Sequence, residues 1–251
     1  ASAGVSEQNM IQHAIEGYNV ADLGWGTSSA QPITISFWVK GSMVGTYGFG
    51  VSNNAGNRCY VAAYTIAVAN TWERKTVTIA GDTTGTWLTD SGLGIRIRFD
   101  YGSGSNYRVA GNTWGSSFGN SVSGQTNVVG TTGANFYITG IQLEKGSTAT
   151  AFDYRPYGYE LSLCQRYYYQ IIDGTMAAGY PGGGGHIVTS INATTLELKC
   201  LFPVAMRIPP SLSYNNPSGT AFGGNWYGPG SGTFGTTIGS TNVSVNGAMV
   251  A

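Results

Sequence analysis

The sequence predicts an all-β fold, because turn formers and strand formers dominate a chain that carries few charges. Gly contributes 39 of the 251 residues, and Lys, Arg, Asp and Glu together make 10%, against about 25% in an ordinary soluble domain. Hydrophobic residues reach 41%, which is enough for a packed core. Abundant Thr, Val and Tyr between Gly-rich turns are typical of the short strands of sandwiches and barrels.

Alternating apolar and polar residues predict the strands of a two-sheet antiparallel sandwich over residues 15–156. Apolar side chains recur at every second position in 31–40, 58–66 and 93–100, and 71–80 forms a further strand. The predicted core consists of the residues on the inward faces, namely Ile35, Phe37, Ile95, Ile97, Phe99, Phe136, Ile138, Ile141 and Leu143.

Two stretches interrupt this pattern. Residues 101–133 are rich in Gly, Ser and Asn, which predicts a long loop or several short edge strands. In the string NFYITGIQLEKG, the apolar residues change parity at Gly140. A β-bulge at Gly140 would return the apolar residues on both sides to one face, and Gly is the residue that tolerates such a bulge.

A second, smaller β domain is predicted after a short helix. Residues 157–169 are the best helix candidate, and β-like strings follow from Tyr167 onward. We therefore divide the chain into a domain over 1–156 and a C-terminal β domain over 157–251 that begins with the linking helix. The strings that predict its strands are HIVTSI, TTLELKCLF, AMRIPPSLSY and TNVSVNG.

Charge and hydropathy argue against two classes of partner. The formal net charge is zero and no Lys/Arg cluster occurs, so the sequence predicts no nucleic-acid binding. No apolar run approaches the roughly 20 residues of a membrane span, so membrane insertion is not expected. Cys59, Cys164 and Cys200 are an odd number of isolated thiols, which suits a protein that folds in a bacterial cytoplasm and is released later.

The residues that enzymes need are not arranged in any recognisable pattern. His13 and His186 lie outside any nucleophile elbow, and no H-E-x-x-H, Cys/His cluster, phosphate loop or dinucleotide fingerprint occurs. The acidic residues look structural and show no acid–base pair for glycoside hydrolysis. We therefore predict a protein without catalytic activity, cofactor or metal.

Aromatic residues remain as the signal for a ligand, because flat apolar rings with polar handles stack well on sugars. If strands 31–40 and 93–100 belong to one sheet, their outward residues share its outer surface, and the Gly-rich loop adds aromatic rings. In the alternative, the same face packs against a neighbouring subunit or the chain's own loops. The candidate ligand face consists of Trp38, Lys40, Arg96, Arg98, Tyr107 and Trp114.

Several separated strings resemble a family of phage and prophage fibre or virion-surface proteins. They occur in the same order and cover roughly residues 15–170, and FPVAMRIPPSLS is similar to a C-terminal β module that often follows. The strings are IEGYNVADLGWGT, ITISFWVKGS, ANTWERKTVTIAGDTTGTW and FYITGIQLEKGSTATAFDYRPYGYELSLCQRYY.

The resemblance implies a jelly-roll sandwich related in shape to carbohydrate-binding modules, displayed on a virion as a homotrimer beside other virion proteins. It carries no catalytic residues. We expect a fibre or spike subunit that binds a glycan of the host surface. The alternative is a purely structural virion protein, such as a head fibre or decoration subunit, that has no ligand.

Overall fold

The regular secondary structure of the described residues is mostly β-strand, with one short α-helix, which confirms the all-β prediction. It divides into two compact units, Ala1–Asp153 and Tyr154–Ala251. The structure is a computed structural model that describes residues 3–169, 187–192, 195–209, 226–227, 233–234, 240–244 and 247–250.

The first unit contains ten strands, several of them very short. Short 3-10 turns at Gly17–Asn19, Ala21–Leu23 and Ser105–Tyr107 join some of them. The strands are β1 (Met10–Glu16), β2 (Ile33–Gly41), β3 (Gly45–Ser52), β4 (Cys59–Ile66), β5 (Glu73–Ile79), β6 (Leu93–Asp100), β7 (Arg108–Val109), β8 (Trp114–Gly115), β9 (Ser121–Val122) and β10 (Phe136–Lys145).

These strands form two antiparallel sheets and one small parallel pair. The large sheet has five strands in the order β1-β6-β3-β4-β8, and the small sheet has three in the order β10-β2-β5. The parallel pair joins β7 to β9. The chain therefore crosses between the sheets repeatedly, and β3–β4 is the pair of consecutive long strands that stays within one sheet.

The core lies between the two sheets and is centred on Phe37 of β2. Its ring lies 5.1 Å from that of Tyr64 and 4.9 Å from that of Phe99, centroid to centroid, and both partners belong to the large sheet. The predicted core residues Ile35, Phe37, Ile95, Ile97 and Phe99 are buried, and Phe136, Ile138 and Leu143 are partly buried against them.

The predicted bulge at Gly140 is present, but its effect differs from the prediction. The register between β10 and β2 shifts between Thr139 and Gln142, and Gly140 adopts a φ of 58°. The shift returns Ile138 and Leu143 to the same face. Ile141 is one of the two bulged residues and remains 38% exposed, so its assignment to the core is wrong.

The small sheet has two different edges. On one edge, the bulge interrupts β10. On the other, Glu73 and Lys75 of β5 stand opposite Val39 and Phe37, which places both charges on the inward face. Their side chains pair at 2.7 Å, and the hydrogen bonds from Lys75 and from the amide of Val68 lower the pKa of Glu73.

The outer face of the large sheet is covered by residues 103–125, which we call the cover loop. Gly48 of β3 permits this contact, because a Cβ there would lie 2.7 Å from the Cα of Ser121. The Cys59 thiol donates to the Gly119 carbonyl at 3.2 Å, and the Asn112 amide donates to the carbonyl of Val61 at 2.7 Å. The cover loop contains β7, β8 and β9, so the prediction of short edge strands in residues 101–133 is confirmed.

The second unit begins with the helix α1 (Tyr157–Gln165), as predicted. The string AMRIPPSLSY forms no strand over residues 205–209, and its remaining residues lie outside the described part of the chain. The side chains of 195–201 also lie outside it. No helix in the described part of the chain combines the length and apolarity needed to cross a membrane. The strands are β11 (Ile187–Asn192), β12 (Thr195–Leu201), β13 (Trp226–Tyr227), β14 (Thr233–Phe234), β15 (Ser240–Ser244) and β16 (Gly247–Val250).

We expect Phe37→Ala to lower the free energy of unfolding by about 3–5 kcal/mol, because it removes a fully buried ring between the sheets. Urea denaturation of the full chain measures the change. Val44→Ala is the control, since Val44 is 55% exposed and its truncation should change stability by less than about 0.5 kcal/mol. Equal losses in the two variants would contradict a core centred on Phe37.

Candidate functional site

The six predicted ligand residues do not form one surface. Trp38 and Lys40 lie on β2 in the small sheet, whereas Arg96 and Arg98 lie on β6 in the large sheet. The interpretation that both strands belong to one sheet is therefore wrong. Alternation correctly separates the inward from the outward face of each strand, but it carries no information about which strands are neighbours.

Arg98 does not reach the protein surface, because the cover loop lies over it. Its side chain is fully buried, with the guanidinium carbon 4.1 Å from the ring centroid of Phe118. Nη2 donates to the Cys59 sulfur at 3.6 Å, while Nε and Nη1 have no hydrogen-bond partner among the residues that the structure describes. Burial lowers the pKa of Arg98 to about 10, so the group stays charged at neutral pH. Arg96 is half-buried on the same strand, and its Nε is also enclosed.

Tyr107 and Trp114 are packed against other aromatic rings within the first unit. The Tyr107 ring meets that of Phe118 edge to face at 6.0 Å. Trp114 meets Trp25 at 5.3 Å and Trp87 at 5.6 Å, and its indole N–H donates to the Ala80 carbonyl at 2.9 Å. Both rings are half-buried, and their contacts hold the cover loop and neighbouring turns in place.

A buried ion pair adjoins this tryptophan cluster. Arg58 donates to both carboxylate oxygens of Asp82, at 2.7 and 2.6 Å, and Asp82 is 2% exposed. Burial alone would raise the pKa of Asp82, but hydrogen bonds from Arg58 and Thr84 outweigh it and leave that pKa below its ordinary value. The Trp87 indole also donates to Asp82, so the pair joins the cluster to the turn that follows β5.

Apart from Tyr18, the exposed aromatic residues of the first unit lie on the outer face of the small sheet or beside it. Tyr137 of β10 lies opposite Lys40 of β2, and Trp38 lies opposite Arg74 of β5. Trp72 precedes β5 and continues the register opposite Lys40. Trp38, Trp72 and Tyr137 are 42%, 41% and 48% exposed. We call Trp38, Lys40, Trp72 and Tyr137 the aromatic platform.

Lys40 stands at the centre of the aromatic platform. Its ammonium nitrogen lies 5.3 Å from the ring centroid of Trp72 and 4.9 Å from that of Tyr137. Both separations are within the range of a cation–π interaction. The platform therefore offers apolar ring surface and a positive charge within one row across the sheet.

Part of the same face, over Thr34 and Ser36 of β2, is covered by residues 146–153, which we call the strap. The Thr34 hydroxyl donates to the Gly146 carbonyl at 2.8 Å, and Arg74 Nη2 donates to the Thr150 carbonyl at 2.6 Å. Glu144 accepts from both the amide and the hydroxyl of Thr150. Hydrogen bonds from Thr150 and Gln142 lower the pKa of Glu144, so the strap is fastened by a carboxylate at neutral pH.

Gly140 connects the bulge to the platform. A Cβ at Gly140 would lie 3.3 Å from the Trp38 Cδ1 and 3.9 Å from the Phe152 Cδ2. The missing side chain therefore leaves room for the Trp38 indole to lie beside the strap. Phe152 is 40% exposed and extends the apolar surface beyond Trp38.

Two of the four platform residues, Trp38 and Lys40, were predicted from the sequence, whereas Trp72 and Tyr137 were not. Alternation could have indicated both residues, because each lies an even number of positions from an outward-facing residue of the same strand or its extension. Tyr137 alternates with the partly buried Phe136 and Ile138, and Trp72 has the parity of Arg74. The sequence did not reveal that β5 and β10 are the strands that flank β2.

The platform has the chemistry of a binding surface. Rings and a cation can hold a ligand by stacking and by charge. Within the described residues, no group of three or more His, Cys, Asp or Glu side chains could hold a metal ion. Comparison of the chain with family models, curated proteins and solved structures gives no match.

We expect Arg98→Met to leave the free energy of unfolding unchanged or to raise it by up to about 2 kcal/mol. Methionine keeps the apolar contact with Phe118 and removes a buried charge that forms no ion pair among the described residues, although the buried Asp100 of the same strand attracts it at longer range. Arg98→Ala is the comparison and should lose about 2–4 kcal/mol through the cavity it leaves. A methionine variant no more stable than the alanine variant, in urea denaturation, would show that the charge itself stabilises the cover loop.

We expect Asp82→Asn to cost about 3 kcal/mol at pH 7, because it breaks a buried bidentate ion pair. The pKa of Asp82 is lowered in the folded state, so its contribution is present above the unfolded pKa of about 3.9 and is lost as pH falls below it. The deficit of the variant should therefore shrink towards pH 3 in denaturant titrations. Asp22→Asn is the control, since its exposed pair with Lys145 should be worth less than about 1 kcal/mol.

Proposed function

We propose that this chain is a subunit of a phage or prophage fibre or spike, located in the virion, whose first unit binds a glycan of the host surface without catalysis. The aromatic platform is the observation that carries the proposal. Trp38, Trp72 and Tyr137 expose their rings on one side of the small sheet, and the strap covers part of the same face. Open aromatic rings of this kind stack on the C–H faces of sugars.

The arrangement of strands supports a jelly-roll architecture for this unit. The chain passes from the large sheet at β1 to the small sheet at β2, returns for β3 and β4, and crosses again at β5, β6 and β10. Strands that alternate between two facing antiparallel sheets characterise double-sheet jelly rolls. The resemblance of residues 15–170 to phage fibre proteins points to the same architecture.

The rival proposal is a structural virion protein in which this face is buried against a neighbouring subunit. Tryptophan and tyrosine are enriched in protein interfaces, so the rings alone fit both proposals. Lys40 favours the first, because lysine is depleted from the cores of protein interfaces and stands here between two rings. A homotrimer, with contacts to other virion proteins elsewhere on the chain, is compatible with an open platform.

We expect Trp72→Ala and Trp38→Ala each to reduce binding to host-derived polysaccharide by about tenfold or more, because each removes a stacking ring. The measurement is binding of the purified full chain to an array of bacterial surface polysaccharides, together with adsorption to host cells. Tyr18→Ala is the matched control, because Tyr18 is 62% exposed and lies outside the platform. Arg98→Met should also bind normally, since Arg98 is buried.

Light scattering on the same variants separates the two proposals. Lost glycan binding with an unchanged molar mass supports a glycan platform. A change from trimer to monomer in Trp72→Ala, with no glycan bound by the parent chain, would establish the platform as a subunit interface and overturn the proposed function.

A further inference from the structure

We infer that the glycan bound by the aromatic platform is anionic, and that its carboxylate or phosphate is held by Lys40 with Arg74 beside it. The inference rests on the proposed function of the same surface. It names the class of saccharide, which the exposed rings alone do not.

The first support is the availability of the Lys40 ammonium group for a ligand. Its ammonium donates no hydrogen bond to any group in the described part of the chain and forms no ion pair there. Its neighbours are the rings of Trp72 and Tyr137, which attract a cation but leave its three N–H donors unpaired. A charge-assisted hydrogen bond to an anion is the strongest interaction open to these donors.

The second support is the position of Arg74. Trp72 stands opposite Lys40, and Arg74 stands opposite Trp38, so rings and cations alternate in a checkerboard over two neighbouring strands. Diagonal neighbours across strands lie about 7–8 Å apart, which allows Lys40 and Arg74 to contact one saccharide. Arg74 donates Nη2 to the strap at Thr150, and its guanidinium has further N–H donors.

The third support is the distribution of carboxylates. Glu144 is the one acidic residue among the outward-facing positions of β2, β5 and β10, and it accepts hydrogen bonds from Thr150 of the strap. Glu73, next to Trp72 in sequence, faces inward and pairs with Lys75. The four platform residues therefore carry one charge, the positive charge of Lys40, whereas the neighbouring Arg74 also interacts with the Glu144 carboxylate.

Bacterial surface polysaccharides supply two anionic groups of this kind, the carboxylate of a uronic acid and the phosphate of a phosphodiester-linked polymer. A neutral sugar would stack on the rings but would leave the cations without an anionic partner. The aromatic rings contribute affinity for either kind of sugar, whereas Lys40 and Arg74 contribute the preference for the anionic one.

The test is an array in which each acidic polysaccharide is printed beside chemically matched neutral forms. Carboxyl reduction converts uronic acids to neutral hexoses. Hydrofluoric acid hydrolyses phosphate esters and would cut a polymer linked through phosphodiesters, so the phosphate comparison uses polysaccharides that carry phosphate as a substituent of an intact chain. We expect the full chain to bind acidic polymers and to lose at least tenfold in signal after one of the two treatments. The treatment that abolishes binding identifies the anion. Binding should also weaken as sodium chloride is raised.

Lys40→Met provides the matched variant, because methionine keeps an unbranched apolar side chain between the rings and removes the charge. We expect a loss of about tenfold to a hundredfold on the acidic polymer and less than about threefold on its neutral form. Lys145→Met changes the net charge equally at an ion pair outside the platform and should bind normally. Equal melting temperatures for the variants and the parent chain establish that the fold is intact.

The outcomes separate this inference from the proposed function. Binding that depends on Trp72 but is equal for acidic and neutral forms overturns the anionic preference and leaves the glycan platform in place. Binding to no polysaccharide, by a chain that is folded, overturns both.

Discussion

The strand β2 determines both the core and the exposed surface of the first unit, because one of its faces packs in the core and the other carries the platform. It is the central strand of the small sheet and pairs with β10 on one side and β5 on the other. Phe37 projects inward to the rings of the large sheet, while Trp38 projects outward to the platform. Since side chains of a strand alternate between faces, the burial of Phe37 fixes the exposure of Trp38. A slip of one residue in register would exchange core and platform.

The outer faces of the two sheets differ in how much of them is covered by loops. The large sheet is covered by the cover loop, and Gly48 and Gly50 of β3 allow backbone to approach closely. That arrangement encloses Arg98, which keeps its charge and forms no ion pair among the described residues. The small sheet is crossed by the shorter strap, which is fastened through Thr34 and Glu144 and ends beside Trp38. The platform lies within the area of the small sheet that stays open.

Local patterns in the sequence predicted individual strands, but they did not predict which strands lie next to each other in a sheet. Alternation correctly predicted the strands around Phe37 and Ile97, and the change of parity at Gly140 correctly predicted a bulge. No strand was predicted for β1 or β3, because β1 is largely exposed and the glycines of β3 dilute its apolar pattern. Arg98 was assigned to the surface, since alternation cannot reveal that a distant loop covers an outward face.

The edges of the small sheet bear on how the protein behaves at high concentration. A chain of zero net charge has no long-range repulsion to keep copies apart, so its solubility has to come from local geometry. The bulge in β10 disfavours the pairing of a further strand at one edge, and the inward-facing ion pair of Glu73 and Lys75 on β5 disfavours it at the other. Neither edge of the small sheet therefore favours the addition of a further strand, and copies of the chain that meet at this sheet have to make contact through side chains.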